Sequence, residues 1–305
     1  MADCVVALDV GGTSMKIATV DRRCAVLASR SVPTRRRDGD VVERILATAA
    51  EQRAEAEQGG HTVRAAGLVV PGIVDEELGV AVSAANLDWH DVPFRARLAE
   101  RLGMPVAFGH DVRSGGLAEG LLGAARGVRD YLFLAVGTGI AAAAVLDGRP
   151  HSGHGYAGEI GHLVVDPDGP PCGCGARGCL ESIASAAAIA SHYASRTGEW
   201  IEAAVVSERV VAGDPDACAV WQEAIDALAG ALAAYANALA PELVVVGGGL
   251  ASAGDTLLVP LAEQVDRRLP LQRGPRLVAA QLGDQAGALG AALLAWRAVE
   301  ESSCR

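Results

Sequence analysis

The sequence predicts a mixed α/β protein organised in two lobes. Three observations carry that expectation. A short apolar run over residues 5–9 breaks at Gly11-Gly12 and resumes over residues 16–20, and the same strand, glycine turn and strand return over residues 131–146 around Gly137-Thr138-Gly139. Helical segments with clear stop signals lie between and beyond these units. The length, 305 residues of which 50% are apolar, is enough for two domains with sizeable cores at roughly 100–200 residues each.

Taken in order, residues 5–9 and 16–20 are too close for a crossover helix to join them, so they form a hairpin. Residues 41–58 read as a helix that stops at Gly59-Gly60. Residues 65–70 form a buried strand ended by Pro71-Gly72, residues 93–102 a helix ended by Gly103, and residues 106–108 another strand. Residues 131–146 are uncharged over 16 positions, short of the roughly 20 apolar residues that span a bilayer, and are interrupted by glycine. They form two buried strands. Residues 149–182, rich in Gly, Pro, His and Cys, are the least regular part. Residues 216–240 are the clearest helix: Trp221, Ile225, Leu228, Leu232, Tyr235 and Leu239 recur at alternating spacings of 4 and 3, a single stripe that Pro241 ends. Residues 243–246 form a buried strand leading into Gly247-Gly248-Gly249, and an Ala-rich helix covers 285–299.

The formal net charge of −11 argues against a nucleic-acid partner, because an acidic chain repels phosphate. The short basic run at residues 35–37 reads as a solvated loop. No positively charged segment followed by an apolar one opens the chain, so a soluble, cytoplasmic protein is expected, with no membrane partner. Three of the seven cysteines fall within eight residues. In such a chain a cluster points to metal, and scattered cysteines fill cores.

Several motifs carry chemistry. Asp9-Val10-Gly11-Gly12-Thr13 with Lys16 follows a strand, where glycines let backbone N–H groups approach a polyanion and the hydroxyl and ammonium add donors. An ordinary glycine hairpin is the plain alternative, and the second loop, Gly137, Thr138 and Gly139, favours phosphate binding. Gly247, Gly248 and Gly249 offer bare backbone at a strand end, where a flat nucleotide can lie. His162, Cys172, Cys174 and Cys179 suit tetrahedral zinc, with a reduced cysteine cluster as the alternative. Such a site is closed to substrate and supplies folding energy to its loop. Glu159 and Glu181 flank it and can accept hydrogen bonds from sugar hydroxyls, though exposed glutamates are the plain reading. His151 and His154 face solvent. Asp111, after His110 at the end of a strand, stands where α/β folds place a catalytic base, although a lone Asp in a turn is by default a cap. Asn86 is by default a turn residue.

In combination, DVGGT at 9–13, PG at 71–72, NLDW at 86–89, GTGI at 137–140, AGEIGH at 157–162, CGCGARGCLE at 172–181 and PELVVVGGG at 241–249 resemble the ROK family of bacterial sugar kinases and sugar-responsive repressors. The resemblance covers nearly the whole chain. It implies the two-lobed hexokinase/actin-like ATPase fold, with ribonuclease H-like halves and a cleft between the lobes. The expected domains are 1–112, with the phosphate hairpin and catalytic Asp; 113–285, with the zinc loop 162–179 and the adenosine site; and 286–305, a helix packing back on the first lobe. The implied activity is transfer of the γ-phosphate of ATP to the 6-hydroxyl of a glucose-type sugar, glucose or N-acetylglucosamine. N-acetylmannosamine, mannose and fructose kinases, or a catalytically weak sugar-sensing regulator, are the alternatives.

By resemblance Asp111 is the base, Asp9 helps place Mg2+, and Gly11, Gly12, Thr13, Lys16, Gly137, Thr138 and Gly139 surround the phosphates. Gly247, Gly248 and Gly249 lie near the adenosine. Gly72, Asn86, His110, Glu159, His162 and Glu181 line the sugar site, with His162 giving one ring nitrogen to zinc and the other to a hydroxyl. Two departures stand out. His110 occupies a position usually held by Asn, which bears on sugar preference, and Ala141–Ala144 replace further glycines after Gly139. The family's repressors carry a DNA-binding region of roughly eighty residues ahead of this core, and Asp9 here stands near the start. A homodimer or homotetramer is expected.

Overall fold

A computed structural model describes residues 2–35, 39–84 and 87–303. The chain divides into two units, one comprising Met1–Ala118, Ser152–Ala157 and Asp284–Arg305, the other Glu119–His151 and Gly158–Gly283.

In the first unit, β1 (Asp3–Val10) pairs antiparallel with β2 (Ser14–Asp21), setting Asp9 opposite Lys16, and β2 pairs with β3 (Val26–Pro33). Helix α1 (Val41–Gln58) is capped by Asp40, whose carboxylate accepts the Val42 N–H at 2.8 Å. It carries the chain across to β4 (Thr62–Val70), parallel to β1. A small antiparallel sheet of β5 (Ile73–Asp75), β6 (Val80–Ala84) and β7 (Trp89–Val92) follows, then α2 (Phe94–Leu102). Gly103 ends α2 in the left-handed conformation. Strand β8 (Val106–His110) then adds parallel to β4, and α3 (Asp111–Leu122) starts directly from it. The sheet order is β3-β2-β1-β4-β8. Strands β1 and β4 are interior and covered on both faces, so their sequences are nearly continuous apolar runs rather than alternating ones.

The second unit repeats that plan. Strand β9 (Tyr131–Val136) pairs antiparallel with β10 (Ile140–Leu146), which pairs with the short β11 (Arg149–Pro150). Helices α4 (Leu180–Ala184), α5 (Ala186–Thr197), α6 (Ala203–Val211) and α7 (Pro215–Leu239) precede β12 (Leu243–Gly247), which lies parallel to β9. Helix α8 (Asp255–Arg267) leads to β13 (Arg276–Ala279), giving the order β11-β10-β9-β12-β13. Helix α7 opens on Asp214, whose carboxylate caps the N–H groups of Asp216 and Ala217, with Pro215 at the first helical position. Its stripe of Trp221, Ile225, Leu228 and Leu232 is buried, and Trp221 Nε1 donates to Thr256 O at 3.0 Å. Helix α9 (Ala286–Ser303) belongs to the first unit and lies against β1 and β4.

The units depart from the expected limits of 1–112, 113–285 and 286–305. The first turns of α3 stay with the first unit because Arg113 is tied there to Glu76, and Ser152–Ala157 joins them through the Arg113 bond to Ala157 O. Asp284 also falls in the first unit, 3.5 Å from Lys16 Nζ. Among the described residues no helix is long and apolar enough to cross a membrane.

Candidate functional site

The β1–β2 turn is a preformed loop. Gly11 N–H donates to Ser14 O at 2.9 Å, Thr34 Oγ1 donates to Gly11 O at 2.6 Å, and Thr34 N–H donates to Thr13 O at 2.9 Å. Thr34 is fully buried, so a residue just past β3 braces Gly11, Gly12 and Thr13. Sequence reasoning missed β3 and Thr34 with it. The Asp9 side chain lies against the start of α9, where a Cβ at Gly287 would overlap its carboxylate. Burial, and then the nearby Asp111, push the Asp9 carboxyl up to about 7, with Lys16 opposing. Lys16 Nζ is 3.5 Å from Asp284 Oδ1.

The second feature is the junction of β8 with α3. Asp111 is the first residue of the helix, and its Oδ1 accepts the Val112 N–H at 2.7 Å. Burial pushes its carboxyl up to about 6, against the lowering effects of that hydrogen bond and of Arg113. His110 is buried beside it, with Nδ1 3.3 Å from Asp111 Oδ1. Burial and Arg113 hold the His110 ring down at about 3, so it is neutral at physiological pH. Gly72, with φ +88°, turns the chain from β4 into β5. Asn86 lies outside the described residues.

In the second unit the Gly137–Gly139 turn is closed by Gly137 N–H to Gly139 O at 2.9 Å. Glu181, in the first turn of α4, accepts the Ile140 N–H on Oε2 at 2.9 Å. One of its oxygens is therefore committed to the Thr138 loop. At the end of β12, Gly248 has φ +80°, and a Cβ there would overlap the Val136 backbone, so no other residue fits without moving β9. A cavity of about 290 Å³ opens beside Thr138 and Gly249. Small residues of α5 and α6 form its walls, while Trp200, 66% exposed, and Glu202 stand at its edge. Neither Trp200 nor Glu202 was a sequence candidate. Nothing local marks them, because they precede a helix whose face only packing reveals.

His162, Cys172, Cys174 and Cys179 converge with their ligand atoms all within 4.8 Å of one another. Cys172 Sγ is 3.6 Å from His162 Nδ1, and Cys174 Sγ is 3.7 Å from Cys179 Sγ. Tetrahedral zinc with Zn–S near 2.3 Å requires about 3.5–3.8 Å between ligand atoms, so the set fits. Burial and the other two sulfurs push the Cys179 thiol up to about 12, the crowding a divalent cation relieves. Local geometry prepares the loop: Cys172 N–H donates to Ala176 O at 2.8 Å and Gly175 N–H to Cys172 O at 3.0 Å. With Nδ1 turned to the sulfurs, His162 Nε2 faces Glu159, 3.9 Å from Oε2.

The ROK family model matches residues 5–298. The chain is 34% identical to a glucokinase of Thermotoga maritima, over 94% of this chain and 96% of that one. It is 31% identical to a putative xylose repressor of Caldicellulosiruptor sp., over 73% of this chain and 60% of the repressor. Among solved structures, the ROK hexokinase from Thermus thermophilus matches with a TM-score of 0.85 at 37% identity, covering 98% of this chain and 99% of that one. The ROK family glucokinase from Streptomyces griseus, in complex with glucose and AMPPNP, matches with 0.84 at 30% identity, covering 96% and 99%. Paired sheets of equivalent strand order, each with a glycine turn in its leading hairpin, are the actin-like ATPase fold of the ROK hexokinases. With a family match running almost end to end, the chain belongs to the ROK family.

Proposed function

We propose that the protein is an ATP-dependent hexose kinase that transfers the γ-phosphate of ATP to the 6-hydroxyl of a glucose-type sugar, glucose or N-acetylglucosamine. The observation that carries this reading is the partly buried carboxylate of Asp111 at the C-terminal end of β8, fixed by the Val112 N–H at 2.7 Å and set beside the buried His110, in a chain related to glucokinases. Asp111 orients the 6-hydroxyl and takes its proton as O6 bonds to the γ-phosphorus, while the bond to the β,γ-bridging oxygen breaks and ADP leaves. Phosphoryl transfer depends mainly on positioning and charge stabilisation, so a fixed carboxylate is well matched to it.

The other residues divide the work. Gly11, Gly12, Thr13 and Lys16 in the first unit, and Gly137, Thr138 and Gly139 in the second, bind the phosphates. Gly247, Gly248 and Gly249 with the Trp200 cavity take the adenosine. Gly72, Asn86, His110, Glu159, His162 Nε2 and Glu181 bind the sugar. Asp9 would help hold Mg2+, which neutralises phosphate charge; a carboxylate raised by desolvation and by the nearby Asp111 suits a divalent cation. His162 Nδ1, Cys172, Cys174 and Cys179 would hold zinc, which supplies folding energy to the loop carrying His162.

The test is ADP release with Mg-ATP against glucose, N-acetylglucosamine, N-acetylmannosamine, mannose and fructose. One strong responder among the first two is expected. Sugar binding without turnover on any of them would replace the kinase with a sugar-sensing regulator.

The base must be ionised to accept a proton. With the Asp111 carboxyl at about 6, kcat/KM is expected to be flat at neutral pH and to fall about tenfold per pH unit below about 6. A profile flat down to pH 4.5 would contradict it. For the nucleotide, Trp200 fluorescence is expected to change on ADP binding, and Trp200→Ala to raise KM for ATP about fivefold or more, the low end for base–aromatic stacking. Unchanged fluorescence and KM would move the adenosine out of this cavity.

A further inference from the structure

The junction of β8 with α3 holds more fixed polar atoms than a base alone requires. Glu76 Oε1 accepts both the His110 backbone N–H, at 3.2 Å, and Arg113 Nε, at 3.0 Å. Arg113 Nη1 donates to Ala157 O at 3.0 Å. The Arg113 side chain is only 3% exposed and its Nη2 has no hydrogen-bond partner. A buried guanidinium held at two of its three nitrogens is a rigid brace. The Arg113 backbone N–H in turn donates to His110 Nδ1 at 3.3 Å.

That last bond decides the state of the ring. Nδ1 also lies 3.3 Å from Asp111 Oδ1, but the directed hydrogen bond at Nδ1 is the one it accepts from the Arg113 backbone N–H. A ring nitrogen that accepts a hydrogen bond carries no proton, so a neutral His110 carries its proton on Nε2. Nδ1 is committed to the protein, and Nε2–H is the only polar group the ring has left to offer a ligand. It can donate and cannot accept. An asparagine in that place would offer both a donor and an acceptor.

We propose that Glu76 and Arg113 are positioning residues that lock His110 as an Nε2–H donor, and that this donor selects sugars presenting a hydrogen-bond acceptor to it. The selection half rests on the sugar-kinase reading; the locking half does not. The consequence is a one-way contact: the hydroxyl or carbonyl facing His110 receives a proton bond and must find the partner for any proton of its own elsewhere in the site.

The two halves are tested separately. Protein labelled with 15N-histidine, without sugar, is expected to show His110 with an unprotonated Nδ1 and a protonated Nε2, unchanged between about pH 6 and 9. Arg113→Met and Glu76→Ala keep the Arg113 backbone N–H but remove the brace that holds it against the ring, so the ring is expected to populate both tautomers, with Arg113→Lys restoring much of the single state. A protein merely weakened in structure would lose Tm and keep the tautomer. In turnover, Arg113→Met is expected to raise KM for the sugar about tenfold and leave KM for ATP unmoved. His110→Asn is expected to narrow the ratio of kcat/KM between the best and second-best sugar at least threefold. A protonated Nδ1 in the wild type overturns the locking half, whether or not the protein phosphorylates sugar. A locked ring with no turnover on any sugar overturns the selection half and the kinase reading together while the lock stands. A locked ring with an unchanged sugar ranking in His110→Asn overturns selection alone.

Discussion

Asp111→Asn is expected to reduce kcat by about 10²–10⁴-fold, the usual contribution of a positioned general base. KM for ATP should hardly move, because Asp111 is not assigned to the nucleotide. More than a tenth of wild-type turnover in the variant would remove Asp111 from the role of base. The same substitution is also expected to stabilise the ligand-free protein. Folding raises the Asp111 carboxyl from 3.8 to about 6, so its ionised form is disfavoured in the folded state. Its contribution to stability is complete below the unfolded value and is lost as pH rises through about 6. Asn carries no charge and can still accept the Val112 N–H. The gain for Asp111→Asn is therefore absent near pH 3.5 and reaches about 1–3 kcal/mol at pH 7, taking 1.36 kcal/mol per pKa unit. Paired melting curves at the two pH values measure it. A dead variant that is also less stable at pH 7 would point to a structural Asp111.

Metal removal should have the second large effect. One zinc per chain is expected on metal analysis, and Cys174→Ser, or a strong chelator, should release it. Structural zinc sites contribute roughly 10–16 kcal/mol of binding free energy at neutral pH, far more than the local hydrogen bonds that shape residues 162–179. Without metal the loop should open and sugar affinity should fall at least tenfold, because His162 and Glu159 lose their fixed orientation. Nucleotide binding at the Trp200 cavity should persist, since that cavity is walled by α5 and α6 rather than by the cysteine loop. Metal-free protein that is folded and fully active would refute the site.

The readings that held rested on local signals. The β1–β2 hairpin, the full span of α1, β8, the β9–β10 pair, α7 and β12 all follow from apolar periodicity and from stop residues a few positions away. The Cys3His cluster was legible for the same reason: its ligands lie within 18 residues, and glycines permit the tight loop. The β3 strand escaped because an edge strand with exposed serines and an arginine has no apolar face to announce it. The small β5–β7 sheet escaped because strands of three to five residues give too few positions to establish a period.

What the sequence determined by itself was therefore the α/β class, the order of its strands and glycine turns, and the likeness to one family. What only the tertiary structure decided were the pairings between residues far apart in the chain. It returned residues 152–157 to the first unit, committed one oxygen of Glu181 to the Thr138 loop, and put Trp200 and Glu202 at the mouth of a cavity. It brought Glu76 across 37 residues to Arg113. Periodicity records which face of an element is buried. It carries no record of which buried polar group meets which, because a hydrogen bond depends on direction at about 3 Å and not on composition along the chain.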